Sequence, residues 1–258
     1  MSKRLSPIAG ILVLTLLWEL SLRARPGTLL PRPWEVLLAF WELTRNGLLL
    51  RHVVASLFRV SWGFAGAAAL AIPLGLALGW YRRGGLAMGP LLQVFRPISP
   101  LAWLPIAILW FGVGDLPAVF VIFLASVLPL TLSAMHAVRK VPPVYVNAGL
   151  NFGLSTRELL GQVILPAALP ELMVGLRLTM GISWLVVVAA EMLAVTSGLG
   201  FLIVESRNAG NRYDLVVAGM VMIGVIGLGL DALMHAVARR ATPRRDVVDV
   251  GAAEGSAA

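Results

Sequence analysis

The chain has 258 residues, of which 59% are hydrophobic and 13% charged, and a mean hydropathy of +0.87. A soluble domain of this size cannot hide so much apolar surface and carries about twice the charge, so lipid must cover part of it. The formal charge of +8 does not indicate nucleic acid, because the basic residues form short clusters beside apolar runs, with no aromatic-interleaved patch. There is no cysteine, which excludes disulfides and thiolate metal sites. The two lysines, Lys3 and Lys140, follow no glycine-rich loop, so the chain lacks a phosphate-binding loop of its own.

Six apolar stretches predict an all-α membrane protein with six transmembrane helices: Pro7–Leu22, Leu57–Trp80, Met88–Trp110, Leu116–His136, Leu172–Val195 and Leu215–Val237. The first follows Lys3 and Arg4 and has no small-residue cleavage site before Arg23, so it reads as an anchor and not as a signal peptide. Residues 1–28 therefore hold the anchor and the start of the first loop, and 29–53 an outer loop. That loop contains an amphipathic interfacial helix over Pro33–Asn46. The transmembrane domain is expected to span 54–240, and 241–258 form a polar tail expected to be disordered. With both termini inside, eleven Lys and Arg fall on the cytoplasmic side and seven outside, which favours that orientation.

The third stretch contains Pro90, Pro97, Pro100 and Pro105, too many for one straight helix. A broken helix at membrane depth must be buried in protein or line a watery cavity. Arg96, Ser99 and Trp103 beside the break, with Ser183, Trp184 and Glu191 on the fifth stretch, are the candidates to line such a cavity. Glu191 admits two readings. It is a structural carboxylate satisfied by a helix-end donor or an arginine, or it faces the cavity. Arg177 is expected to snorkel to water, and Gly63, Gly66, Gly75 and Gly79 to mark close helix packing. His136 and His235 have no partners at metal spacing, so no metal site is expected.

The segment 139–171 is the longest cytoplasmic loop. It predicts a short helix from Val144 that Gly153 stops, then a second short helix opened by a Ser155–Glu158 capping box. Pro166 and Pro170 interrupt the chain after it. Asn147-Ala148-Gly149, three residues, Gly153, nine residues and Val163-Ile164-Leu165-Pro166 match the spacing of a known signature. The pattern resembles that of the permease subunits of ABC importers: Glu-Ala-Ala, then Gly, then Ile-x-Leu-Pro. Asn147 stands where that family has glutamate, and Gly149 where it has alanine. Leu29–Leu37, Pro97–Asp115, Leu169–Leu193 and Ser197–Ile203 also resemble the nitrate, sulfonate, taurine and bicarbonate branch.

The resemblance implies a type I importer permease fold with a cytoplasmic coupling helix. Asn147, Ala148, Gly149, Gly153 and Pro166 would then couple it to an ATPase. It further implies a homodimer, two ATP-binding subunits that hold ATP and Mg, and an extracytoplasmic solute-binding protein. The chain itself would bind no cofactor and catalyse nothing. The solute would be a small oxyanion; a vitamin or pyrimidine precursor is the alternative within the family, and a secondary transporter the alternative outside it.

Overall fold

A computed structural model describes residues 5–24, 29–95 and 97–241, and every regular element among them is helical. Expectations placed on Lys3, Arg4, Arg96 and the tail beyond 241 lie outside the described residues. In order the helices are α1 (Leu5–Ala24), α2 (Pro33–Arg45), α3 (Leu48–Trp80), α4 (Arg82–Phe95), α5 (Leu104–Phe111), α6 (Asp115–Arg139) and α7 (Pro143–Asn151). They continue with α8 (Thr156–Ala194), α9 (Leu199–Asn208) and α10 (Tyr213–Ala241). Of the described helices, α3, α6, α8 and α10 are each long and apolar enough to cross a membrane. The α4–α5 pair, bent by 78° at the proline-rich break, supplies a fifth crossing if counted as one. The first apolar stretch, Pro7–Leu22, lies within α1, whose 20 residues make about 30 Å of helix.

Helix α6 is the centre of the bundle: half of its most apolar window is buried, against 11% for α10 at the periphery. Glycines set how closely α3 and α6 approach. A Cβ at Gly63 would lie 2.7 Å from Ile122 Cβ, one at Gly75 2.5 Å from Ala134 Cβ, and one at Gly79 2.7 Å from Val138 Cβ. The packing reading of these three glycines follows from close backbone approach, whereas Gly66 has ordinary contact with Phe123. On the far side, Leu130, Ala134, Ala168, Leu172 and Leu176 join α6 to α8 in one buried cluster.

Two boundaries differ from the sequence reading. The chain is not interrupted at Pro166 and Pro170 but runs as one helix from Thr156 to Ala194. A π-helical stretch over Leu159–Ile164 precedes Pro166, and Pro166 takes the first turn of the α-helical run that follows, where a missing N–H costs little. The second short helix of the predicted loop is therefore the first turn of this long helix. Helix α2 covers Pro33–Arg45; Val36, Ala39 and Leu43 are buried while Trp34, Leu37, Leu38 and Trp41 are exposed. Its far end is tied down by Arg212, which bonds both Glu42 (2.8 Å) and Asp214 (2.8 Å). Those two carboxylates, Asp214 first, hold the Arg212 guanidinium even further above its ordinary pKa.

Candidate functional site

Polar chemistry concentrates at two ends of the bundle. At the end that carries the α8–α9 turn, His52, Ser56 and Arg59 line one face of α3, at spacings of four and three residues. Arg59 is almost fully buried and spends its donors on three elements. Its Nη1 donates to Glu191 Oε1 (2.7 Å) and to the Ser197 carbonyl (2.8 Å). Its Nη2 donates to Ser197 Oγ (2.6 Å), and Nε to Asp115 Oδ1 at the start of α6 (2.8 Å). Glu191 has no exposed surface; it also accepts from Ser56 Oγ (2.9 Å) and from the Gly200 amide (3.0 Å).

The amides at the start of α9 belong to the same network. Gly198 N–H donates to His52 Nδ1 (3.0 Å), Leu199 N–H to Ser56 Oγ (2.9 Å), and Gly200 N–H to Glu191. A helix start leaves such amides without partners in its own chain, and here side chains from α3 and α8 serve as its cap. The negative Glu191 also suits the positive end of the α9 dipole. Glycine is required where the carboxylate meets this backbone: Gly198 has φ +107°, and a Cβ there would overlap the Glu191 carboxyl group. A Cβ at Gly200 would overlap the Val188 carbonyl. The network is closed, with no buried side-chain polar atom left without a partner among the described residues.

The other cavity candidates are scattered. Ser183 Oγ is buried, donates to the Thr179 carbonyl (2.8 Å) and lies 2.7 Å from Ser126 Oγ. Trp184 is buried too, its indole N–H on the Ile223 carbonyl (3.1 Å). Ser99 is exposed in the α4–α5 break. Trp103 lines a cavity of about 290 Å³ with Phe95, Ile98, Leu128 and Ile182. Only Ser99 and Trp103 therefore sit at the break itself, while Ser183, Trp184 and Glu191 are committed to contacts between helices. Ser183→Ala is expected to lower the unfolding midpoint of the purified protein by at most a few degrees. Ser126 Oγ keeps the Ile122 carbonyl (2.7 Å) as acceptor, so no polar group is stranded. A drop comparable to that of a broken ion pair would refute this accounting.

At the opposite end, α7 is a nine-residue helix capped by Pro142 and Pro143 and stopped before Gly153, whose φ is +75°. Ser155 then caps α8: its amide donates to Glu158 Oε2 (2.8 Å) and its hydroxyl accepts from the Glu158 amide (3.4 Å). Gly149 is buried, and a Cβ there would sit 2.5 Å from Leu159 Cδ1, so glycine lets α7 lie tight against the start of α8. Asn147, Ala148, Gly153 and Pro166 are exposed. So are the apolar side chains of Val144, Tyr145, Leu150 and Phe152, the last 87% exposed. Among the described residues nothing covers these side chains.

Residues 71–243 match the family described as the binding-protein-dependent transport system inner membrane component. The chain belongs to this family. It is 38% identical over 221 residues to a putative ABC transporter permease of Methanocaldococcus jannaschii, covering 83% of this chain and 82% of that one. It is 35% identical over 237 residues to the taurine transport system permease of Escherichia coli, covering 90% and 86%. To the bicarbonate transport system permease of Synechococcus elongatus it is 36% identical over 239 residues, covering 88% and 85%. In fold it matches an inward-facing structure of the MetNI methionine ABC transporter, with TM-score 0.67, 18% identity, and coverage of 76% and 96%.

The permease is thus an integral inner-membrane transport subunit of an ABC importer. Such permeases work with ATPase subunits, which carry out ATP hydrolysis, and with a solute-binding protein. Family membership removes the secondary-transporter alternative. The hub around Arg59 was missed by sequence reasoning, although polar residues at positions 52, 56 and 59 of an apolar helix were a readable signal.

Proposed function

We propose that this permease forms, as a homodimer, the pathway for a small oxyanion such as a sulfonate, taurine, nitrate or bicarbonate. Helix α7 acts as the coupling helix, and both termini lie in the cytoplasm. The substrate class rests on the likeness to taurine and bicarbonate permeases over nearly the whole chain. The exposed apolar side chains of Val144, Tyr145, Leu150 and Phe152 support the coupling role, because apolar groups left uncovered on a short helix outside the spans suit a groove on a soluble partner. ATP and Mg would be held wholly by that partner. On binding ATP, the partner subunits would draw the two copies of α7 together and move α8, which continues directly from the segment packed under α7.

The pathway would run along the α4–α5 break, past Ser99 and Trp103; Arg96, which precedes Pro97 in the sequence, remains a candidate for it. Glu191 is better read here as the brace of Arg59 than as a ligand for an anion, since its oxygens are already occupied. The reading is tested with the assembled complex of permease, ATPases and binding protein in proteoliposomes. ATP-dependent uptake of labelled taurine, nitrate and bicarbonate is measured, each in competition with the other two. At least one is expected to accumulate. Accumulation of a neutral vitamin precursor, with none of the three anions carried, would overturn the oxyanion reading.

A further inference from the structure

Arg177 on α8 and Asp231 on α10 form a bidentate ion pair, Nε to Oδ1 at 2.5 Å and Nη2 to Oδ2 at 2.7 Å. Arg177 is 17 residues from the Ala194 end of α8 and Asp231 18 residues from the Tyr213 end of α10. Both therefore lie about 26 Å down helices that cross a hydrocarbon layer of about 30 Å. Their side chains remain 42% and 48% exposed. Counted from those ends, the pair lies close to the boundary of the layer on the α7 side, where charged side chains turn toward water or a bundle interior.

The structure supplies the cavity. About 410 Å³ opens between α8 and α10, lined by Arg177, Gly181, Leu185, Gly227, Leu230 and Asp231 among others. At Gly181 a Cβ would touch nothing, so the space is not filled by packing. A guanidinium carries five N–H donors in one plane, and Asp231 takes only the Nε–Nη2 edge. The remaining edge has one side-chain neighbour among the described residues, His235 Nδ1 at 3.4 Å from Nη1. A planar free edge with a nearby imidazole is suited to an oxyanion, which accepts two parallel N–H bonds from it. Asp231 holds the guanidinium in place and balances its charge, so the anion is held loosely enough to leave.

We propose that the free edge of Arg177, with His235 beside it, is an oxyanion-binding station on the permease, in the half of the membrane nearer α7. This rests on the oxyanion reading above. The pair was not visible in the sequence, where Arg177 read only as a snorkelling cation.

The test uses the complete complex in proteoliposomes with labelled taurine, nitrate and bicarbonate. Arg177→Lys keeps the charge and a bond to Asp231 but removes the free planar edge. The KM for the transported anion is expected to rise at least ten-fold, with the complex assembling at wild-type yield. The exchange Arg177→Asp with Asp231→Arg restores the ion pair but moves the guanidinium to α10, and is expected to leave the KM raised. An unchanged KM in Arg177→Lys, or recovery to within two-fold in the exchanged pair, would show a purely structural bridge and overturn the station. Failure of the wild-type complex to carry any of the three anions would instead overturn the oxyanion reading, and this inference with it.

Discussion

Arg59→Met is expected to destabilise the permease by about 3–5 kcal/mol, the usual loss when one partner of a buried ion pair is removed. The substitution leaves Glu191 with no countercharge in a place without solvent, and strips both Asp115 and Ser197 of their bonds to α3. Glu191→Gln should do less, about 1–3 kcal/mol. Arg59 keeps Asp115 as its neutralising partner, and the amide oxygen can still accept from Ser56 or Gly200. The order is the informative part, and thermal unfolding of the detergent-purified protein, followed by loss of the monodisperse peak, measures it. If Glu191→Gln proves the more damaging of the two, the carboxylate has a role beyond pairing with Arg59.

Placing aspartate at both Leu150 and Phe152 is expected to abolish co-purification of the ATPase while membrane insertion proceeds normally. The two side chains are 55% and 87% exposed, so the permease alone loses little. Burying each in a partner contributes roughly 1.5–3 kcal/mol, so losing both lowers the affinity by at least about 100-fold. Pull-down of the ATPase on the tagged permease, with yield in the membrane fraction as control, gives the answer. Undiminished ATPase recovery would place the docking surface elsewhere than α7. A milder variant sharpens the point: Gly149→Ala pushes on Leu159 from inside the same element and should weaken docking without touching the exposed side chains.

What could be read in the sequence is what local chemistry decides. The proline cluster announced the break between α4 and α5, and Gly153 with the Ser155–Glu158 capping box announced the turn after α7. The 3.6-residue pattern over Pro33–Asn46 announced α2 to within a residue. What escaped depends on partners far along the chain. Arg59 meets residues 115, 191 and 197, and no local rule joins four positions on separate elements. Arg177 meets Asp231 for the same reason. The passage of α8 through Pro166 and Pro170 escaped differently: a proline reads as a stop, and only the π-helical stretch before it shows that the backbone changes its pitch there instead.

The Arg59 hub has a mechanical consequence. It pins α3, α6, α8 and α9 together at one end of the bundle, while at the other end Leu159 of α8 packs under Gly149 of α7. Helix α8 is therefore a lever with its pivot at Glu191 and its handle at Leu159, an arm of 32 residues or about 48 Å. A tilt of about 5° around that pivot carries the handle through about 4 Å, on the scale of a helical turn. Small rotations at the pinned end thus correspond to large strokes at the handle. On the coupling role proposed for α7, a force applied there would act with that leverage on the helices proposed to hold the pathway.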